Sequence, residues 1–252
     1  MIHRKSPADI ALMMEGGRLV ARILRKVQGV VNSGTATSEI ERVAENEARS
    51  LGVVPAFKGY MGYPSSICVS INNEVVHGIP SDKRILNEGD IVGLDFGAYY
   101  KGFYTDSAVT LPIGTISKKA MRLMEVTRES LLRGIEAATE GMRVGDISHS
   151  VQSYVEENGY SVVKSFVGHG IGRSLHEEPQ VPNFGEPHWG AKLKEGMTLA
   201  IEPMVNEGLD SVEVLGDGWT AVTADGGLSA HFEHTVAITA DGPLVLTADE
   251  EP

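Results

Sequence analysis

Four acidic residues stand in positions that suit a buried cation site. Asp95 and Glu202 each close an apolar run, and Asp106 and Glu233 follow them further along the chain. Burial disfavours the charged form of a carboxylate, so buried acids must share protons, meet bases or bind cations. No lysine or arginine lies on these four acidic segments, and carboxylate oxygens are good ligands for hard divalent cations. The acids therefore predict a metal site.

His169 is the predicted nitrogen ligand of this site. It lies in the segment Gly168-His-Gly-Ile-Gly172, where the glycines allow the backbone to approach closely and leave the ring unobstructed. The triplet His77-Gly-Ile matches His169-Gly-Ile at an offset of 92 residues, which favours a functional role for His169 over that of an ordinary loop histidine. A mixed oxygen and nitrogen ligand set also accepts iron, cobalt or zinc.

The elements that must position these residues occur twice. Segment 86–95 matches segment 193–202 at an offset of 107 residues, and 34–52 matches 141–159 at the same offset. Apolar periodicity and terminal glycines predict four helices, at 7–31, 37–51, 117–140 and 145–158, with antiparallel strands between and after them. We therefore predict an α+β fold with a pseudo-two-fold axis and a site between the two halves.

Two predicted hairpins bring the acids together in pairs. A turn at residues 100–101 would set Asp95 directly opposite Asp106, and the Asp-Gly turn at 217–218 would set the other two acids opposite each other. Directly opposed residues have Cβ atoms roughly 4.5–5.5 Å apart, and like charges at that separation are destabilising. Each predicted pair therefore requires a cation.

These residues lie in segments that resemble the methionine aminopeptidases, which have the pita-bread fold. The resemblance runs from about residue 10 to 240, and its motifs are Gly-Tyr-Pro-Ser-Ser-Ile-Cys (62–68), Val-His-Gly-Ile-Pro (76–80), Gly-His-Gly-Ile-Gly (168–172), His-Glu-Glu-Pro (176–179) and Ile-Glu-Pro (201–203). Glu202 and Glu233 are too close in sequence for the helical insertion of the type II enzymes. Neither the zinc-binding extension of the eukaryotic type I form nor the N-terminal domain of the proline-specific relatives is expected. The resemblance is therefore to the short bacterial type I form.

The resemblance implies a catalytic ligand set and a reaction. Two divalent metal ions, chosen from Co, Mn, Fe and Zn, would be held by Asp95, Asp106, His169, Glu202 and Glu233. A hydroxide between them would hydrolyse the first peptide bond of a polypeptide and so remove its N-terminal methionine. Glu202 would relay a proton, and His77 and His176 would act as catalytic and substrate-binding residues by donating hydrogen bonds or a proton to the reacting centre.

The resemblance also implies a pocket for the methionine side chain. Its lining would consist of Phe57, Tyr60, Tyr63, Cys68, Leu175 and Trp219, which together form an apolar slot for a thioether. Phe57 stands where a cysteine is usual in the bacterial enzymes, and Leu175 where a phenylalanine is usual. These two departures affect the predicted shape of the pocket and not the predicted chemistry.

Composition limits where the chain acts and what it binds. A length of 252 residues predicts one catalytic domain, 1–252, with halves at about 1–112 and 113–252. The single cysteine excludes an internal disulfide and predicts a cytoplasmic location. The chain contains no apolar run of about 18 residues, so no membrane span is predicted. A net charge of −12 disfavours binding to free nucleic acid. We expect a monomer that acts on peptides and nascent chains; a transient ribosome contact fits such substrates, although no basic cluster specifies one.

Two other functions compete with this interpretation. An Xaa-Pro aminopeptidase or prolidase would share the same ligands, and the expected lack of its N-terminal domain counts against it. A catalytically silent pita-bread protein would act as a binding module. Silent relatives have typically lost metal ligands, whereas all five matching positions are present here.

Overall fold

The structure, a computed structural model, describes residues 2–249. Within that range the helices are α1 (Pro7–Gln28), α2 (Thr37–Leu51), α3 (Lys118–Ala137) and α4 (Val144–Glu157). The strands of the first half are β1 (Val54–Pro55), β2 (Cys68–Ile71), β3 (Glu74–Val76), β4 (Ile91–Tyr100) and β5 (Phe103–Pro112). Those of the second half are β6 (Ser161–Val162), β7 (Gly168–Gly170), β8 (Glu177–Val181), β9 (Thr198–Ile201), β10 (Met204–Asn206), β11 (Val212–Val214), β12 (Ala221–Thr223), β13 (Ser229–His231), β14 (Glu233–Thr239) and β15 (Gly242–Val245). The four predicted helices are confirmed.

Local sequence signals explain where the helices begin and end. Ser6 caps α1, because its Oγ accepts a hydrogen bond from the backbone N of Asp9 at 3.2 Å, and its own backbone N donates to Asp9 Oδ2 at 2.9 Å. Pro7 at the first helical position adds a preset φ. Gly52 ends α2 in the left-handed conformation at φ 70°, which glycine adopts without steric cost. Between residues 2 and 249, no helix is both long enough and apolar enough to cross a membrane.

One curled antiparallel sheet carries the site. Its order is β1-β4-β5-β14-β9-β7-β8, with β2 also paired to β4 and β15 also paired to β14. The two halves of the chain meet where β5 pairs with β14, in a ladder that places Glu233 opposite Ala108 and His234 opposite Ser107. Each half has its own apolar core. In the first half α1 and α2 pack on β2 and β4, and in the second α3 and α4 pack on β9 and β14.

The internal repeat is visible in the backbone. Isolated bridges pair Ala36 with Ile85 in the first half and Arg143 with Lys192 in the second. The two bridges are related by the same offset of 107 residues that relates the sequences, as are the first residues of α2 and α4. The predicted pseudo-symmetric α+β fold is therefore confirmed.

The predicted register of the first hairpin is wrong. Its turn lies at Lys101 and Gly102, both with positive φ, rather than at residues 100–101. A tight turn of this kind requires left-handed backbone at both central residues, and Gly102 adopts it readily. Asp95 consequently lies opposite Ala108, and Asp106 lies opposite Gly97. The two acids remain on one face as diagonal neighbours.

The predicted register of the second acidic pair is confirmed. Ile201 pairs with His234 and Met204 pairs with His231, so Glu202 and Glu233 face each other in the short gap between these two ladders. The same register continues through β11 and β12 to the tip of the hairpin.

The repeat does not relate His77 to His169. Ser70 pairs with Gly93 in the first half, and His169 pairs with Ala200 in the second. Because Gly93 and Ala200 are related by the 107-residue offset, the structural counterpart of His169 is Ser70. The matching His-Gly-Ile triplets are a local similarity, and His77 follows β3, which belongs to a separate three-stranded sheet with β11 and β12.

Candidate active site

The predicted metal ligands converge on one side of the sheet. Asp106, His169 and Glu233 each offer a ligand atom within 4.8 Å of the others. His169 Nε2 lies 3.7 Å from Asp106 Oδ2 and 3.4 Å from Glu202 Oε1. Asp95 shares the face of β4 that points the same way, two register positions from Asp106. The sequence therefore identified five residues that the fold brings together.

The four acids are held in an environment that disfavours their charges. Asp106 and Glu233 are each 3% exposed, and Asp95 and Glu202 are half-buried. Burial raises the pKa of Asp106 to about 6. Burial, together with the neighbouring carboxylates, raises the pKa values of the other three acids well above their usual range. No lysine or arginine within residues 2–249 forms an ion pair with any of them. Positive charge supplied from outside the chain would stabilise this cluster.

His169 is oriented as a ligand. Its Nδ1 lies 2.9 Å from the carbonyl oxygen of Gly170, so Nδ1–H donates that hydrogen bond and Nε2 presents its lone pair to the acids. Burial lowers the pKa of His169 to about 4, which keeps the ring neutral at neutral pH. Asp95 Oδ1 is buried without a hydrogen-bond partner among the described residues. A buried acid oxygen without a hydrogen-bond partner and an imidazole nitrogen that faces two carboxylates line one cavity, and together they fit a divalent cation.

Side chains around the acids fix their positions. Thr235 Oγ1 lies 3.0 Å from Asp106 Oδ1, and Ser107 Oγ donates to the carbonyl oxygen of Glu233 at 2.7 Å. His231 Nε2 lies 3.8 Å from Glu202 Oε2, on the face that strand alternation predicts. His234 turns the opposite way, with Nδ1 2.9 Å from Thr247 Oγ1.

The acids form one end of a cavity of about 210 Å³. All predicted substrate-binding residues line it, namely Phe57, Tyr60, Tyr63, Cys68, His77, Leu175, His176 and Trp219. Five further residues line it that the sequence did not single out, namely Met61, Val76, Phe166, Val167 and Met204. Phe166 and Val167 directly precede the His169 motif, so proximity to that motif was an available signal for them.

Aromatic contacts shape the apolar end of the cavity. Trp219 meets Tyr63 edge-on, with ring centroids 5.1 Å apart, and the His77 ring stands at 90° to that of Phe166 at 5.4 Å. Cys68 pairs with Asp95 in the sheet and connects the apolar wall to the acids. Burial raises the pKa of the Cys68 thiol, which therefore remains protonated. This favours a packing role for Cys68 over a nucleophilic one.

The two other predicted site histidines, His77 and His176, line the cavity but are not part of the ligand cluster. His77 has a left-handed backbone, with φ 62°. His176 Nδ1 lies 2.8 Å from Tyr60 Oη, and its ring centroid lies 4.2 Å from that of His169. Burial lowers the pKa of both His77 and His176 to about 4, so each is neutral at neutral pH and can donate one N–H.

Comparisons with known proteins agree with this geometry. The model of metallopeptidase family M24 matches residues 11–240. The chain is 50% identical over 247 residues to a methionine aminopeptidase of Clostridium perfringens, covering 98% of this chain and 99% of that protein. It also superposes on the crystal structure of a methionine aminopeptidase from Thermotoga maritima with a TM-score of 0.97 at 48% identity, covering 99% of this chain and all of that one.

A prolidase is a more distant match. The crystal structure of a prolidase from Pyrococcus horikoshii superposes with a TM-score of 0.80 at 24% identity, covering 98% of this chain and 64% of that one. At that identity the match shows a common fold and no more.

Proposed function

The chain belongs to metallopeptidase family M24 and, within it, to the bacterial methionine aminopeptidases, and we propose that it removes the N-terminal methionine of peptides and nascent chains by hydrolysing their first peptide bond. The observation that best supports this function is a single cavity, lined at one end by four acids and a histidine and elsewhere by apolar, largely aromatic residues. Such a cavity can bind an apolar side chain while the adjoining peptide bond lies beside the acids.

We propose that two divalent ions, from among Co, Mn, Fe and Zn, occupy the acidic end of the cavity. The residues that would hold them are Asp95, Asp106, His169, Glu202 and Glu233. When bound, divalent ions polarise a scissile carbonyl and acidify the attacking water. The buried Asp95 oxygen without a hydrogen-bond partner, and His169 Nε2, which faces Asp106 and Glu202, support this assignment.

The protein groups around the acids would move and hold protons. Glu202 would accept a proton from the attacking water and return it to the leaving amine. His231 Nε2 lies 3.8 Å from the Glu202 carboxylate, beyond hydrogen-bond distance. His77 and His176, both neutral, would donate N–H groups to the oxygen that develops negative charge. Tyr60 would fix the ring of His176 through their 2.8 Å contact.

The apolar wall would bind the methionine side chain. Its predicted lining residues are Phe57, Tyr60, Tyr63, Cys68, Leu175 and Trp219, and all of them face the cavity. Unbranched thioethers pack well against aromatic rings. Acids at one end and an apolar wall at the other match a substrate with a free amine and an apolar first side chain.

We also propose that the protein acts as a monomer in the cytoplasm, with at most a transient ribosome contact. One chain supplies every predicted site residue. The single cysteine suits a reducing compartment.

The alternatives are a prolidase-like specificity and a silent binding role. They are separated by adding each of the four metals to metal-stripped protein and assaying Met-Ala-Ser and Ala-Pro-Ala. We expect metal-dependent release of methionine from the first peptide and none of the proline-adjacent cleavage in the second. Cleavage of Ala-Pro-Ala alone would reassign the specificity, and no turnover of either peptide with any metal would support the binding role.

A further inference from the structure

The loop between β7 and β8 carries two residues of the proposed site, Leu175 and His176. One carboxylate binds two backbone amides of this loop. Glu177 Oε1 accepts hydrogen bonds from the backbone N atoms of Arg173, at 2.6 Å, and Ser174, at 3.1 Å. The position of residues 173–174 therefore depends in part on where the Glu177 side chain is held.

Lys5 holds that side chain from a distant part of the sequence. Lys5 Nζ lies 2.5 Å from Glu177 Oε2, and the two side chains are only 3% and 6% exposed. The Lys5 backbone N in turn donates to the carbonyl oxygen of Gly196 at 2.6 Å. A Cβ at Gly172 would lie 2.2 Å from Lys5 Cε, so the lysine side chain is packed directly against the loop.

A buried ion pair at this place calls for a specific explanation. Desolvation offsets much of the attraction between buried charges, and two well-packed apolar side chains of similar size commonly stabilise a fold at least as well. Burial lowers the pKa of Lys5, which reflects that cost. The carboxylate, however, supplies what an apolar side chain cannot, namely an acceptor for two loop amides.

We propose that Lys5 and Glu177 are positioning residues for catalysis. They hold the loop so that His176 keeps its contact with Tyr60 and Leu175 keeps its place in the pocket wall. The N-terminal segment before α1 is thereby part of the framework of the active site. The inference rests on the proposed function, because it assumes that His176 contacts the substrate.

The test replaces the pair as a unit. The double variant Lys5→Met/Glu177→Leu removes both charges at similar volume, so the fold should be retained, as judged by Tm and by metal content. We expect kcat on Met-Ala-Ser to fall about tenfold or more. We also expect the amides of residues 172–176 to exchange hydrogen about tenfold faster. The matched control is Arg4→Met, which removes a positive charge from the neighbouring, exposed side chain. It should leave kcat within about twofold of wild type.

Two results separate positioning from a general loss of stability. In a His176→Ala background the same double change should lower kcat by less than about twofold, because its effect on kcat acts through His176, whereas a shift of Leu175 in the pocket wall would change KM. An equal loss in both backgrounds, or unchanged kcat in the double variant, would overturn the proposal. Failure of wild-type protein to release methionine would count against the proposed function instead. The exchange measurement would then decide whether the ion pair anchors the loop, with unchanged exchange overturning that role.

Discussion

Thr235 and Asp106 are joined across the seam between the two halves of the chain. Thr235 Oγ1 lies 3.0 Å from Asp106 Oδ1, 3.0 Å from the Asp106 backbone N and 2.8 Å from its carbonyl oxygen. One hydroxyl thus fixes both the strand and the carboxylate of a predicted ligand. Its full burial excludes water as a substitute.

We predict that Thr235→Val weakens metal binding about 10–100-fold, the range typical of groups that orient metal ligands. The variant preserves shape and removes the hydroxyl. Thr235→Ser retains the hydroxyl and serves as the control. Titration calorimetry with Mn or Co decides the outcome, and equal affinities of the two variants would show that the hydroxyl does not tune the site.

Removal of metal, or of Asp106 or Glu233, should abolish turnover. Both carboxylates are nearly fully buried and lie within the ligand cluster. Asp106→Ala or Glu233→Ala should therefore lower activity by more than ~100-fold, the upper range for groups that only orient metal ligands. Elemental analysis and peptide assays on the same samples test this. Full activity of metal-stripped wild-type protein would exclude the metal-dependent hydrolysis.

His77→Ala should lower kcat while bound metal stays near the wild-type level. His77 lines the cavity but stands outside the ligand cluster, so the loss should fall in the ~10²–10³-fold range of a lost transition-state hydrogen bond. His169→Ala is the comparison, because it should lose metal and activity together. If His77→Ala lost metal in proportion to activity, His77 would have to be reassigned as a ligand.

Metal affinity should fall as pH is lowered through about 6. Burial raises the pKa of Asp106 to about 6, and burial with the neighbouring carboxylates raises the pKa values of the other three acids well above their usual range, so protons occupy the metal-free site and must leave when a cation binds. For each proton released on binding, the metal affinity should fall by about tenfold per pH unit as the pH is lowered. His169, with a pKa of about 4, should not contribute above pH 5. Calorimetry at pH 7.5 in buffers of different ionisation enthalpy counts the protons, and a count of zero would contradict the assignment.

Phe57 and Leu175 offer a test of compensating changes in the pocket. Both line the cavity and belong to one apolar cluster, and relative to the usual bacterial pattern one gained bulk while the other lost it. Leu175→Phe alone should crowd the pocket and raise KM for methionyl peptides, since overpacking typically costs ~1–3 kcal/mol. Adding Phe57→Cys should restore much of the loss, with a coupling of roughly 0.5–3 kcal/mol. Additive effects on kcat/KM would show that the two changes are independent.

Local sequence patterns predicted elements well and long-range contacts poorly. Helix α2 was predicted with its observed bounds, because its apolar stripe and terminal Gly52 are local signals. The predicted turn of the first hairpin is wrong because it was placed midway in sequence between Asp95 and Asp106. The observed turn is determined by Gly102, which adopts positive φ readily. Neither the Thr235–Asp106 contact nor the Lys5–Glu177 pair leaves any periodic trace, since each joins side chains more than a hundred residues apart.

A cation held by the proposed ligands would span the narrow seam between β5 and β14 and so link the two halves of the chain. The first half of the chain contributes Asp95 and Asp106, and the second contributes His169, Glu202 and Glu233, whereas the β5–β14 ladder itself contains only two registered pairs. A cation shared by these residues would therefore add a link between two halves that the main sheet joins by this short ladder, and that the β3–β12 ladder and backbone hydrogen bonds such as Tyr104 N to the Gly172 carbonyl oxygen join elsewhere. Opening along this seam would separate the proposed ligands, so metal binding would stabilise the joined halves by mass action as the free metal concentration rises.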